Sequence, residues 1–353
     1  MTVYLINIAL ILFWRLFFAW KQSPNAGKFY CGIVALQWIL ISGLRSWKIG
    51  ADTVQYFSRF EAIKQTAWER ILRNLFAYLF RGGNGKDPGY DLITKVFQLF
   101  SKNYQVFLLA VAVCFMTLMV IWIYKNSSSP CTSYILFSTL FYEFYALTGH
   151  RQTIATALVV FLGYELMKQK RFWEFVPVAL AAFLIHKSSL VFVPVYFLLQ
   201  IPVTVGYMVL CGSVIALVAV LGKDLYGLVA FWLGFDAHMI EYSGGGAELY
   251  ATMLVLLCLV FWLLYPRIRC RREDASMLFH INALALLSGL LVFQNQSFMR
   301  IQQYFSLFHM ITIPEVLNTV KREYRLLVYL LFGAFMIAYL IGKNPQYQFC
   351  FMD

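Results

Sequence analysis

Charge is scarce in this chain. Only 13% of its 353 residues are Asp, Glu, Lys or Arg, about half the share usual in a soluble domain. Strand-length segments of alternating polar and apolar residues are absent, which excludes an outer-membrane barrel. Seven cysteines (Cys31, Cys114, Cys131, Cys211, Cys258, Cys270 and Cys350) lie mostly inside apolar runs without paired spacing. They read as small core residues, not as a disulfide framework or zinc site. There is no Asp-x-Asp, no paired His with a carboxylate and no cysteine cluster, so neither metal nor cofactor is expected. A nucleophile elbow is missing too. No small-residue cleavage site follows the first apolar run, so residues 4–20 read as a retained span.

What is present is hydrophobicity in long runs. The chain is 61% hydrophobic and 18% aromatic, with a mean hydropathy of +0.68. Runs near the roughly 20 residues needed to cross a bilayer recur throughout. The fold class is all-α: a polytopic integral membrane protein, read as one transmembrane domain over residues 1–353. About twelve spans are expected, near residues 3–20, 29–44, 104–124, 132–147, 150–167, 172–185, 190–199, 203–221, 249–265, 277–293, 301–317 and 326–341. The sixth and seventh are short. Residues 45–103 form a longer amphipathic stretch, with Arg59, Lys64, Arg70 and Arg73 among Phe57, Phe60, Ile71, Leu72 and Phe76. That mixture reads as helices lying at the interface. Gly82-Gly83-Asn84-Gly85 is a break, and Asp87-Pro88-Gly89-Tyr90 restarts a helix. A later loop holds Asp224, Asp236 and Glu241 beside Gly244-Gly245-Gly246.

The net charge of +12 is informative through its placement, and no nucleic-acid partner is expected. Short basic loops follow spans one (Lys21, Lys28), three (Lys125), five (Lys168, Lys170, Arg171), nine (Arg267, Arg269, Arg271, Arg272) and eleven (Lys321, Arg322, Arg325). All are odd spans, so one orientation makes every such loop cytoplasmic. Both termini and the 45–103 segment then lie outside.

That orientation also gathers the polar residues. The stretch RSWKIGADTVQY, residues 45–56, supplies Arg45, Lys48, Asp52 and Tyr56 beside Gly50, which permits close backbone approach. His150, Arg151 and Gln152 sit in a hairpin with almost no loop. His186 and Lys187 join the two short spans. Gln294, Asn295 and Gln296 precede Arg300, Gln302, Gln303 and Tyr304. All four clusters fall at outer ends of spans. Each has a bland alternative: a snorkelling anchor beside Trp47, a polar turn, a hydrogen-bonded core histidine, a helix cap. Charges at such depth are nevertheless costly and mark sites. Glu165 is expected to pair with Lys168, while Glu143, two turns from His150, is a candidate to face the site.

Several Arg side chains in a partly dry setting make a clamp for pyrophosphate. One carboxylate or imidazole suffices to deprotonate a hydroxyl. The substrate that fits is a lipid pyrophosphate attacked by a sugar hydroxyl. Arg151 and Arg300, helped by Arg45, would neutralise the leaving group, with Asp52 favoured as base and His186 close behind. Lys48, Tyr56, His150, Gln152, Lys187, Gln303 and Tyr304 would bind substrate.

The ordered set Leu44-Arg45, Gly50-Ala51-Asp52-Thr53, Tyr56, Arg151-Gln152-Thr153-Ile154-Ala155, His186-Lys187-Ser188-Ser189-Leu190, Arg300 and Tyr304-Phe305 resembles the EpsG-type, Wzy-like family of polysaccharide polymerases. It departs from the family's common pattern at Ala51. The resemblance implies a glycosyltransferase polymerising undecaprenyl-pyrophosphate-linked oligosaccharide repeats into O-antigen, capsule or exopolysaccharide. It also implies kinship with metal-independent GT-C membrane glycosyltransferases. The site would face the periplasm or exterior of the bacterial cytoplasmic membrane. Expected partners are the lipid-linked repeat, membrane lipids and a chain-length regulator protein. Two rivals stand beside it. A flippase for the same lipid would need polar groups at midplane, and a membrane O-acyltransferase would place its key residues nearer the cytoplasm.

Overall fold

The computed structural model describes residues 1–21, 24–81, 87–232 and 248–352. The Gly82–Gly85 break and the loop bearing Asp236, Glu241 and Gly244–Gly246 lie outside the described residues. The chain divides into two compact units, Met1–Val193 with Leu330–Asp353, and Pro194–Tyr329.

The first unit opens with α1 (Thr2–Lys21) and α2 (Ala26–Gly43). Residues 45–103 become three helices, α3 (Thr53–Gln65), α4 (Trp68–Phe80) and α5 (Pro88–Phe97). Then comes α6 (Tyr104–Asn126), started by the Asn103 side chain accepting from Gln105 N at 2.8 Å, the usual way to satisfy a first-turn N–H. Two helical runs follow, α7 (residues 130–148) and α8 (residues 150–168), then α9 (Phe172–Ile185). Described helices of the second unit include Glu248–Ile268, Ala275–Val292, Met299–Ser306 and His309–Asn318. No strand forms among the described residues; one isolated bridge joins Arg45 to Phe349.

Seven described helices are long and apolar enough to cross a membrane by length and composition. The other five expected spans are short or interrupted, for local reasons. In α7, π turns occupy Phe137–Phe141 and Glu143–Thr148, and in α8 Ala157–Leu162. Helix α9 ends at His186, and a 3-10 turn, Lys187–Val191, separates it from Phe192–Leu198. Residues 299–318 break at Leu307–Phe308.

The exterior is apolar where a soluble protein's would be polar. Leu16 is 72% exposed, Leu263 78% and Leu330 62%, while Asn7, Ser138, Gln302 and Asn282 are buried. That inversion suits lipid as the surrounding solvent.

Helices α2 and α6 pack along their length. Helix α2 buries Tyr30, Val34, Trp38 and Ile41, and α6 buries Leu108, Ala112, Phe115, Met119 and Trp122. Each stripe has the three-to-four-residue spacing of one helix face. At one end of α6 a cluster of Tyr56, Phe60, Tyr90, Tyr104, Phe107, Leu108 and Ile185 seats α3 and α5. Arg59 bonds Asp91 at 2.6 Å, and Lys95 Nζ donates to the Ile63 and Lys64 carbonyls at the end of α3, where a cation suits the helix dipole. The amphipathic segment is thus helical, as expected, and anchored on the unit that carries the candidate site.

Candidate functional site

Two glycines create the site by letting backbones touch. Gly50 has φ +108°, and a Cβ there would lie 2.6 Å from Leu147 O. Residues 45–56 therefore press against the end of α7, in a conformation that favours glycine. At Gly89 a Cβ would lie 2.7 Å from the Leu184 carbonyl. The start of α5 is thereby set against the end of α9, beside His186.

Arg45 is buried at 1% exposure. Its guanidinium donates to Ser42 O and to Leu147 O at 3.0 Å, and meets His150 Nε2 at 2.5 Å. Burial pushes it down to about 10, which leaves it protonated at neutral pH. Ser46 N donates to Gln348 O and Cys350 N to Leu44 O, both at 2.9 Å. A C-terminal strap therefore edges this cation, with Tyr347 Oη on Ile41 O at 2.8 Å.

Only Gly149 separates α7 from α8, so His150 and Arg151 open α8 directly. The His150 ring stacks on Tyr56, centroids 4.6 Å apart and planes at 12°. The Arg151 guanidinium lies 5.5 Å from the Tyr56 centroid, with Nε donating to Tyr56 Oη at 3.4 Å. Its Nη1 meets Asp87 Oδ2 at 2.5 Å.

Asp87 is the centre of the arrangement. It is 3% exposed. Its Oδ2 lies 3.4 Å from His186 Nδ1, and its Oδ1 accepts from Lys187 N at 3.3 Å. Arg59 Nη2 donates to its carbonyl at 3.4 Å. Its backbone is left-handed, φ 55° and ψ 62°, although a residue before proline prefers an extended form. Tertiary contacts hold it there, as strained positions require. Burial pushes its carboxyl up, but the His186 hydrogen bond and charge, the Arg151 charge and the Lys187 N–H outweigh this and leave it below the usual value. His186 is buried, and its Nε2 has no hydrogen-bond partner among the described residues. A buried imidazole nitrogen left unpaired is costly unless something else binds it.

Asp87 is missing from the residues that sequence reasoning selects, because Asp-Pro-Gly reads as a helix start. A carboxylate in a polar loop carries no anomaly to notice. Of the selected residues, the first unit brings together Arg45, Tyr56, His150, Arg151, His186 and the backbone of Lys187. Asp52 is half-buried at the first turn of α3 without a side-chain cap bond. Lys48 is exposed, over Trp47 at 5.6 Å, and the Lys187 side chain is exposed. Gln152 is buried. Arg300, Gln303 and Tyr304 belong to the second unit, on Met299–Ser306. Arg300 is exposed there, Tyr304 is buried, and Gln303 Oε1 accepts from Tyr250 Oη at 3.4 Å. Glu143, a candidate to face the site, instead pairs with Lys343 at 2.9 Å and is 57% exposed on its side chain. Glu165 Oε1 accepts from Asn126 Nδ2 at 2.7 Å. Among the described residues no group of three His, Cys, Asp or Glu is placed to hold a metal.

A guanidinium and an imidazole meeting on one buried carboxylate can bind an anion and move a proton. The EpsG family model matches residues 28–351, which includes every residue of this arrangement. The chain belongs to the EpsG family. Membership points to polysaccharide polymerisation, a glycosyltransferase-like role, and the membrane-length helices agree with a multi-pass protein. No curated protein and no solved structure matches the chain. Within this EpsG-family chain, Asp87 and its two partners come from α5, α8 and the end of α9, so three separate elements must be in register for the site to exist.

Proposed function

We propose that the chain, crossing the membrane about twelve times in a GT-C-like arrangement, polymerises undecaprenyl-pyrophosphate-linked oligosaccharide repeats at the outer face of the bacterial cytoplasmic membrane. The observation that supports it is Asp87 held by both Arg151 and His186 inside an EpsG-family match.

The acceptor's nonreducing sugar hydroxyl attacks the anomeric carbon of the donor. A new C–O bond forms, the bond to the lipid pyrophosphate breaks, and that pyrophosphate leaves with the electron pair. His186 Nε2 takes the hydroxyl proton, and Asp87 orients the ring and stabilises the imidazolium, as a carboxylate behind a catalytic histidine does. Arg151 spends Nη1 on Asp87 and Nε on Tyr56, which leaves Nη2 for the departing phosphate. Arg45 acts through His150. Arg300, in the second unit, is proposed as substrate-binding from its sequence position alone. Asp52 is the second reading for the base, favoured by its half-exposed carboxylate.

The deciding experiment measures the sugar ladder in cells, and product length with purified protein and lipid-linked repeats. Arg151→Ala should abolish the ladder while single repeats still reach the exterior. Loss of single repeats together with the ladder, at normal expression, would replace this reading with a flippase.

A further inference from the structure

At the other end of α9 from His186 lies a second feature that polymerisation does not use. A cavity of about 290 Å³ opens between α6, α8 and α9, at the small end of the range for ligand clefts. Much of its wall is apolar, formed by Leu118 and Trp122 of α6, Phe161 of α8 and Val178 of α9. Phe161 belongs to the π turn Ala157–Leu162. Such a turn carries an extra residue and shifts the side chains beyond it, and π turns often mark functional sites.

The rim is polar and sits at one end only. Lys125 is in the last turn of α6, Gln169 follows α8, and Arg171 precedes α9. Lys125 is exposed and makes no ion pair among the described residues. Arg171 holds Glu174 and Gln169, but the ion pair is about half exposed on both sides and such pairs are weak. Glu165 also lines the cavity and is bonded to Asn126; its charge keeps an anion at the Lys125–Arg171 rim and away from the α8 wall. An apolar trough with cations at one mouth complements an anionic amphiphile. The short basic loops of the sequence put this mouth at the cytoplasmic surface, where anionic headgroups meet basic pockets between helices.

We propose that this cavity binds one anionic glycerophospholipid of the cytoplasmic leaflet. One acyl chain lies along Leu118, Phe161 and Val178, and the phosphate sits between Lys125 and Arg171. The site lies across α9, roughly 20 Å by helix rise, from the proposed sugar chemistry. Its occupant is therefore a structural phospholipid and not the pyrophosphate donor.

The test uses the full chain in nanodiscs of phosphatidylglycerol and phosphatidylcholine, with retained lipid counted by native mass spectrometry. The native protein should retain phosphatidylglycerol roughly tenfold over phosphatidylcholine. Lys125→Ala with Arg171→Ala should remove the preference, and Leu118→Trp should displace lipid of either kind. Arg70→Ala with Arg73→Ala, on α4, should change nothing. Size-exclusion elution of each variant confirms folding. Equal retention of both lipids by the native protein, or unchanged preference in the Lys125/Arg171 variant, would overturn the proposal. None of these readouts depends on polymerase activity, so failure of that reading would leave this one standing.

Discussion

The His150 imidazole lies almost parallel to the Tyr56 ring, 4.6 Å away at 12°. This stack joins two cations: Arg45 bonds His150 on one side, and Arg151 bonds Tyr56 on the other. Tyr56→Phe keeps the stack and removes the phenol oxygen that receives Arg151 Nε. It should lower turnover several-fold with little change in thermal stability. Tyr56→Ala removes a buried aromatic and should cost about 3–5 kcal/mol. Turnover with lipid-linked repeats and thermal melts in detergent separate the two effects. Equal melting losses in Phe and Ala would show that the phenol, not the stack, holds the corner.

Asp87 and Arg151 should behave as one unit. Arg151→Ala should reduce turnover on the order of 10²-fold or more, and Arg151→Lys should recover only part, because a point charge replaces a planar fork. Asp87→Asn should lose a comparable amount. The double variant should then lose far less than the product of the two, the signature of coupled residues. Multiplicative losses in this cycle would mean that the contact is incidental.

His186 and Asp52 offer a choice of base that kinetics can decide. His186→Gln should lower turnover by about 10²-fold or more. Asp52→Asn should change turnover only modestly. The reverse ranking would transfer the role of base to Asp52.

Gly89→Ala tests whether the close approach of α5 to α9 builds the site. The new Cβ would meet the Leu184 backbone at 2.7 Å, and backbone yields less readily than a side-chain tip. A loss of about 1–3 kcal/mol is expected, with turnover falling alongside as Asp87 moves from His186. A variant with native melting temperature and native activity would remove Gly89 from the account.

Acid should act on Asp87 with a defined sign. Its carboxyl is held below the ordinary value in the fold. The stabilisation is complete above the unfolded value, about 3.9, and is lost as pH falls through the depressed native one. Native protein should therefore lose melting temperature below about pH 4 more steeply than Asp87→Asn does. Parallel acid curves for the two proteins would contradict this.

The residues that the sequence exposes are those whose chemistry clashes with their surroundings. Arg151 and His186 stand out because they interrupt apolar runs. Arg45 stands out in the same way, yet two of its three partners are main-chain carbonyls, one of them 102 positions away, and no side-chain pattern encodes a carbonyl. Asp87 is hidden for the opposite reason. It lies in a polar loop of the sequence, and the fold buries it under Arg151, His186 and the Lys187 backbone. The all-helical membrane architecture follows from hydropathy alone. The interruptions of α7 and α8 do not, since a π turn is made of the same apolar residues as the helix around it.

The strap over Arg45 has a consequence for how the protein is made. Tyr347 reaches back to Ile41 across 306 positions, and Gln348 and Cys350 pair with the backbone on either side of Arg45. During synthesis the α2 end and its guanidinium enter the membrane long before these partners exist. Until then the Leu44 carbonyl and Ser46 amide must be satisfied by water or lipid headgroups. Arg45 therefore acquires its final surroundings late, and insertion and maturation of the site are separate events in time.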